Sequence, residues 1–233
     1  MAPAVPSVPA VPSTSAGPSR PGRLEVVAGP MFAGKTEELL RRVRRAQVAG
    51  RRVLLVDHVL DTRRGSGTVS SHSGLSLASR TVRDAGELEA VATREGPWDL
   101  VAVDEAQFFG PDLADVVQRL ADAGAVVVVA GLDVTYDARP FEPLPALAAR
   151  AERVDRLTAV CAVCGEDAAF HARTTSAGDA GDALAADAAH VGGAERYEAR
   201  CRAHLPRAPW RTSAAPGAQS SPSHGSSTSG TNE

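Results

Sequence analysis

Apolar residues are laid down along this chain in two alternating patterns. Short runs dominated by Val, Leu and Ala occupy residues 24–28, 52–57, 100–103 and 125–130. Each has the length of a strand buried on both faces. Between them the apolar residues recur at helical spacing. Leu39, Leu40, Val43 and Ala46 form one stripe within residues 36–49, which Gly50 terminates. Leu113, Val116, Val117 and Leu120 form another within residues 112–123, and residues 85–93 supply a third helix. Residues 58–77 are polar and Gly/Ser-rich and read as a loop. Buried strands alternating with amphipathic helices predict an α/β domain, a parallel sheet with helices on both faces, over residues 23–157. Near Thr158 the alternation stops, and residues 158–206 read as a small second module.

The two ends read differently. Residues 1–22 carry Pro at positions 3, 6, 9, 12, 18 and 21, and residues 207–233 are rich in Ser, Gly and Pro. Both are expected to be disordered arms outside the fold. The first has no continuous apolar core of the kind a secretion signal needs, so the expected compartment is the cytoplasm. Thiols stay reduced there, and the three cysteines are not expected to form disulfides. A formal charge of -3 argues against a nucleic-acid partner. No apolar run approaches the roughly 18–20 residues that would span a bilayer, so no membrane partner is expected.

The first strand runs into Gly29-Pro30-Met31-Phe32-Ala33-Gly34-Lys35-Thr36, which fits G-x-x-x-x-G-K-[ST]. Strand before and helix after are the context a phosphate-binding P-loop requires. Backbone N–H groups of such a loop face an anion, and the helix N-terminus adds partial positive charge. Lys35 is then placed for the β- and γ-phosphates of ATP and the Thr36 hydroxyl for Mg²⁺. The third apolar strand ends in Asp104-Glu105. Standing alone, the pair would read as solvated carboxylates. Beside a P-loop, Asp104 fits the aspartate that holds Mg²⁺, and Glu105 fits a general base for an attacking hydroxyl.

Cys161-Ala-Val-Cys164 and Cys201-Arg-Ala-His204 offer four soft ligands in two short-spaced pairs. That set matches a closed, tetrahedral, structural zinc site. A redox C-x-x-C is the rival reading, but it leaves Cys201 and His204 without a role. Arg41, Arg42, Arg44 and Arg45 on the first helix read as a solvated face, Trp98 as a core residue, Trp210 as a tail residue and His72 as a surface histidine.

In order along the chain, these motifs resemble the thymidine kinase family, of the type with a P-loop domain and a zinc-bound lasso. The resemblance runs from about Arg23 to Leu205. It is carried by the Gly29–Thr36 segment, Asp61-Thr-Arg63, Asp104-Glu-Ala-Gln-Phe-Phe109, Gly131-Leu-Asp133, Arg139-Pro-Phe141, Leu157-Thr-Ala-Val-Cys161, Cys164, Gly192-Gly-Ala-Glu-Arg-Tyr197 and Cys201-Arg. It implies a RecA-like P-loop fold and phosphorylation of the thymidine 5′-hydroxyl, and of deoxyuridine, with Glu105 as base. Gly29 to Thr36, Asp61, Arg63, Asp104 and Gln107 match positions handling ATP and Mg²⁺. Phe108, Leu132 and Tyr136 match residues lining the nucleoside pocket. Ala188, Ala189, His190, Val191 and Gly192 match lasso backbone that bonds the base, and Tyr197 a tyrosine anchoring the substrate. The family further implies a homotetramer and feedback inhibition by thymidine triphosphate. Three features depart from its pattern. Tyr136 stands for a phenylalanine, Arg64 for a tyrosine, and the stretch between Arg173 and Gly192 is longer than usual. A zinc-ribbon, nucleic-acid-dependent ATPase and a catalytically silent nucleotide-gated regulator are the competing classes.

Overall fold

The computed structural model describes residues 21–61, 67–70, 74–174, 184, 196–206 and 208–211. The disordered arms expected at the two ends lie mostly outside these residues. The first strand, β1 (Arg23–Gly29), is followed by α1 (Lys35–Val48) and β2 (Val53–His58). A hairpin of β3 (Thr68–Ser70) and β4 (Ser76–Ala78) comes next, then β5 (Arg80–Val82) and α2 (Ala85–Glu95). β6 (Leu100–Val103), α3 (Leu113–Asp122), β7 (Val126–Leu132), α4 (Leu144–Arg150) and β8 (Arg153–Arg156) complete the larger domain.

Six strands make one parallel sheet in the order β5-β2-β6-β7-β1-β8. β7 is thus interposed between the strand that enters the glycine loop and the strand that ends at Asp104, as a RecA-like sheet demands. Alternate residues of each strand feed two separate cores, because successive side chains leave a strand on opposite faces. Val26, Leu54, Val101 and Val127 face one way, against Leu88 of α2, Val116 and Val117 of α3, and Leu144 and Leu147 of α4. Val27, Leu55, Ala102 and Val128 face the other way, against Leu39, Leu40 and Val43 of α1 and Val69 of the hairpin. Helices therefore cover both faces. Every strand being parallel, the loops that leave their C-terminal ends gather on one edge, where α/β sheets bind ligands.

The strands and helices expected from the apolar pattern are all present, with ends shifted by one or two residues. The stretch 58–77, expected as a loop, instead carries β3 and the start of β4, because these strands and β5 are three residues each and half polar. α4 is seven residues long with a proline in its first turn, too short to show a period. β8 is an edge strand, Arg-Val-Asp-Arg, whose charges suit an edge and hide its pairing with β1.

One expectation for α1 is corrected. Arg42 does not belong to a solvated face. It is buried and donates to Glu25 at 2.7 Å, to Glu38 at 2.8 Å and to Asp155, so it ties α1 to β1 and β8. Trp98 meets the core expectation in part: it packs against the first core half-buried, its indole N–H donating to the Ala92 carbonyl at 3.0 Å.

Among the described residues, the second module holds two small antiparallel pairs. β9 (Ala159–Val160) pairs with β10 (Asp167–Ala168), and β11 (Phe170–Arg173) with β12 (Tyr197–Arg200). The Ala162 N–H donates to the Ala199 carbonyl and links the two pairs. Residues 208–211 pack on this module, with Trp210 against the Phe170 ring and beneath the Arg202 guanidinium.

Candidate active site

Two glycines shape the loop between β1 and α1. A Cβ on Gly29 would lie 2.6 Å from the Leu157 carbonyl oxygen, and Gly34 caps α1 from the left-handed region, at φ 82°. The loop wraps back on itself, and Lys35 Nζ donates to the Pro30 carbonyl at 2.7 Å. The Thr36 hydroxyl donates to the Asp104 carboxylate at 3.0 Å, across 68 residues of sequence. The two groups expected to share a Mg²⁺ are therefore already in contact, with Asp104 buried and its own N–H donating to the Val56 carbonyl.

Glu105 follows in an unusual backbone state. At φ 50° and ψ 46° it is left-handed, and it caps a single 3₁₀ turn over Ala106–Phe108. A non-glycine residue held there costs on the order of 1–3 kcal/mol, so neighbouring contacts must enforce it. Gln107 holds its side chain. Its amide donates to Glu105 Oε2 at 2.5 Å, and its own oxygen accepts the Leu132 N–H at 3.0 Å. Buried to 2% exposure, Gln107 ties the carboxylate to the end of β7. The Gly131 position has no room for a side chain here: a Cβ would stand 2.8 Å from Gln107 Oε1.

The loop after β7 is a pinned turn. Thr135 N–H donates to the Arg139 carbonyl, and the Arg139 N–H returns to the Thr135 hydroxyl at 3.0 Å. It presents Tyr136, over whose ring the Arg173 guanidinium lies at 4.4 Å. Arg173 Nε also donates to the Tyr197 hydroxyl at 3.3 Å. Loop and second module thus meet through one arginine between two tyrosines. Phe108 is half-buried, its ring 5.8 Å from that of His58.

Cys161, Cys164, Cys201 and His204 bring their ligand atoms within 4.8 Å of one another. The Cys164 and Cys201 sulfurs are 3.7 Å apart, and His204 Nδ1 lies 3.2 Å from Cys201 and 3.8 Å from Cys161. Tetrahedral zinc with bonds of roughly 2.3 Å to sulfur sets neighbouring sulfurs about 3.8 Å apart, so the donor set fits that ion. Burial raises the Cys161 thiol, but backbone N–H groups of Cys201, Val163 and Cys164 outweigh it and bring the thiol down to about 6. A thiolate is the form that zinc takes. Ala33 of the glycine loop packs against the small apolar cluster that contains Cys161 and Cys201.

The family model for thymidine kinase matches residues 22–205. The chain belongs to the thymidine kinase family. It is 45% identical over 189 residues to a thymidine kinase of Halobacterium salinarum, covering 78% of this chain and 92% of that one. It is 42% identical over 193 residues to one from Deinococcus deserti, covering 78% and 94%. Over 132 residues it is 44% identical to one from Deinococcus radiodurans, covering 53% and 62%. Among solved structures it is similar to the genome packaging NTPase B204 of Sulfolobus turreted icosahedral virus 2, at 14% identity and a TM-score of 0.39 over 59% of this chain and 74% of that one, a likeness too slight to argue from.

For a thymidine kinase family member, the elements gather the expected residues unevenly. Gly29 to Thr36, Asp104, Glu105 and Gln107 form one connected group. Tyr136 and Tyr197 meet through Arg173, and Cys161, Cys164, Cys201 and His204 form a cluster. Asp61 is fixed by its N–H to the His58 carbonyl at 2.9 Å. Arg63, Ala188, Ala189, His190, Val191 and Gly192 lie outside the described residues, as does His72. What sequence reading does not single out is Arg173 and His171, both on the face of β11 that carries Tyr197 of β12. Alternation along Phe-His-Ala-Arg places them on one face, but Tyr197, which gives that face its meaning, is 24 residues from Arg173 in the chain.

Proposed function

We propose that this chain transfers the γ-phosphate of ATP to the 5′-hydroxyl of thymidine, and of deoxyuridine, giving the 5′-monophosphate and ADP. Family membership supports the substrate class. The observation that carries the chemistry is the contact of Thr36 with Asp104 one residue before the strained Glu105. The loop N–H groups and Lys35 hold the triphosphate, and Thr36 and Asp104 would hold Mg²⁺, which offsets phosphate charge when bound. Glu105 Oε accepts the proton of the 5′-hydroxyl as its oxygen bonds to the γ-phosphorus. The bond from that phosphorus to the bridging oxygen breaks, and ADP leaves. Gln107 fixes the carboxylate by one hydrogen bond. Tyr136, Leu132, Phe108 and Tyr197 bound the acceptor side, and Cys161, Cys164, Cys201 and His204 would hold a zinc that ties together the module carrying Tyr197. Family resemblance supports a cytoplasmic homotetramer. Among the described residues, no helix is long and apolar enough to cross a membrane.

The test is a nucleoside panel with Mg·ATP, followed by separation of the products. Thymidine and deoxyuridine are expected to yield monophosphate, and purine nucleosides are not. ATP hydrolysis stimulated by DNA, with no monophosphate from any nucleoside, would overturn the reading in favour of a nucleic-acid-dependent ATPase.

A further inference from the structure

Asp57 is a buried carboxylate with one oxygen left over. It is 3% exposed at the C-terminal end of β2, and its Oδ1 has no hydrogen-bond partner. A buried polar atom in that state costs free energy unless something outside the protein completes it. The sheet sets its place. Val56 pairs with Val103 in the parallel β2–β6 register, and the Asp104 N–H donates to the Val56 carbonyl at 3.0 Å. Asp57 and Asp104 are therefore the next residues along two neighbouring strands. Leu55 and Ala102, two positions earlier, both belong to the core that faces α1. Alternation carries Asp57 and Asp104 to that same face, where the Asp104 carboxylate accepts from the Thr36 hydroxyl. The second oxygen of Asp57 is engaged. The Gly67 N–H donates to the Thr81 hydroxyl at 2.8 Å, which donates to Asp57 Oδ2 at 3.0 Å. Thr81 lies on β5, which flanks β2 on the side away from β6. This relay fixes the carboxylate from the β5 side and leaves Oδ1 for a partner on the side of Asp104.

We propose that Asp57 is a second acidic residue of the Mg²⁺ site, its Oδ1 accepting a hydrogen bond from a water in the metal's shell beside Asp104. This rests on the kinase reading above. Mg²⁺ keeps several waters when it is held by one or two protein groups and phosphates. Those waters are donors, and a fixed carboxylate that accepts from them strengthens the hold on the metal. Two carboxylates side by side out of water repel each other, and a divalent cation beside them reverses that penalty. Asp57 acts through the metal's water and not on the triphosphate, which its charge repels, so it is a positioning residue.

The test uses the full chain with zinc bound, with Mn²⁺ as the probe metal, ATP present and no acceptor. Asp57→Asn keeps the shape of the side chain and removes its charge. Free Mn²⁺ is read by its electron paramagnetic resonance signal. Asp57→Asn is expected to weaken Mn²⁺ binding to the ATP complex roughly 10-fold. The Mg²⁺ concentration that gives half-maximal thymidine turnover should rise by a similar factor, with kcat at saturating Mg²⁺ within about threefold of the unaltered chain. A carboxylate that only braced the hairpin would move neither quantity. With Mg²⁺ and Mn²⁺ omitted, Asp57→Asn should melt no lower than the unaltered chain, because an uncompensated buried charge has been removed. Mn²⁺ affinity within about twofold of the unaltered chain, or a clearly lower melting temperature without added metal, overturns the assignment while the kinase reading stands. If the unaltered chain phosphorylates no pyrimidine nucleoside, the kinase reading falls, and the Mn²⁺ titration still decides whether Asp57 belongs to the metal site.

Discussion

The left-handed backbone of Glu105 sets the direction of its carboxylate, and Gln107 keeps it there. The two residues are adjacent in role because the 3₁₀ turn between them is one turn long. Replacing Gln107 by Leu should leave the Leu132 N–H unsatisfied and take one hydrogen bond from the Glu105 carboxylate. The expected loss is about 1–3 kcal/mol of stability by chemical denaturation, together with a fall in kcat larger than any change in the KM for ATP. Unchanged kcat in a folded Gln107→Leu protein would show that the carboxylate is oriented by other contacts. At this scale the chain is partly readable from its sequence. Glycines, Lys35, Thr36, Asp104 and Glu105 announce themselves because phosphate binding demands fixed spacing. The Gln107 bridge to β7 does not, since its partner Leu132 lies 25 residues away and is reached only through sheet order.

Among the elements, α1 has two attachments. Its apolar stripe packs on the sheet, and Arg42 binds three carboxylates from two strands and its own helix. Removing one partner of a buried ion cluster strands the others, which typically costs about 3–5 kcal/mol. Arg42→Leu is therefore expected to destabilise the protein by about that much in urea unfolding, whereas Arg44→Leu, with an exposed side chain, should cost under about 0.5 kcal/mol. Glu38 gives the cluster a pH signature. The hydrogen bonds it accepts from Arg41, and one from Arg42, outweigh the cost of burial and lower its titration from 4.5 to about 2. A lowered carboxylate is stabilising where it is ionised in both states, above pH 4.5. That contribution is lost as pH falls toward 2. The stability gap between the unaltered chain and Glu38→Gln should accordingly be constant near neutrality and close on acidification through that window. A gap that widens with acid would reverse the sign. The element pattern itself was legible wherever strands were apolar throughout and helices spanned at least two turns of stripe. β8 was not, because an edge strand pairs through its backbone and its one apolar residue, Val154, is exposed, and Arg42 was not, because four arginines on one helix do not reveal which of them turns inward.

For the molecule as a whole, the second module is joined to the glycine loop by contact and not merely by chain. Ala33 rests on the apolar cluster that includes Cys161 and Cys201 of the Cys₃His group. Chelation at neutral pH should release about one zinc per chain, lower the melting temperature, and depress nucleoside turnover more than ATP binding. Cys164→Ser should do the same without chelator. Retention of full turnover by a metal-free chain would remove the anchoring role. The spacing of the cysteines and the histidine made this four-residue cluster legible from sequence, since no other reading uses all four. The contact of Ala33 was not legible, because alanine is small, common and unmarked.

The central claim is that the Glu105 carboxylate takes the proton from the acceptor hydroxyl while the Gly29–Thr36 loop holds the triphosphate. Its most direct test is the turnover of thymidine by Glu105→Gln at saturating Mg·ATP, with the ATP dissociation constant measured in parallel. A general base contributes roughly 100- to 10,000-fold. The predicted result is a fall of that size in kcat with ATP affinity within about threefold of the unaltered chain. Turnover within a few-fold of the unaltered chain would contradict the account.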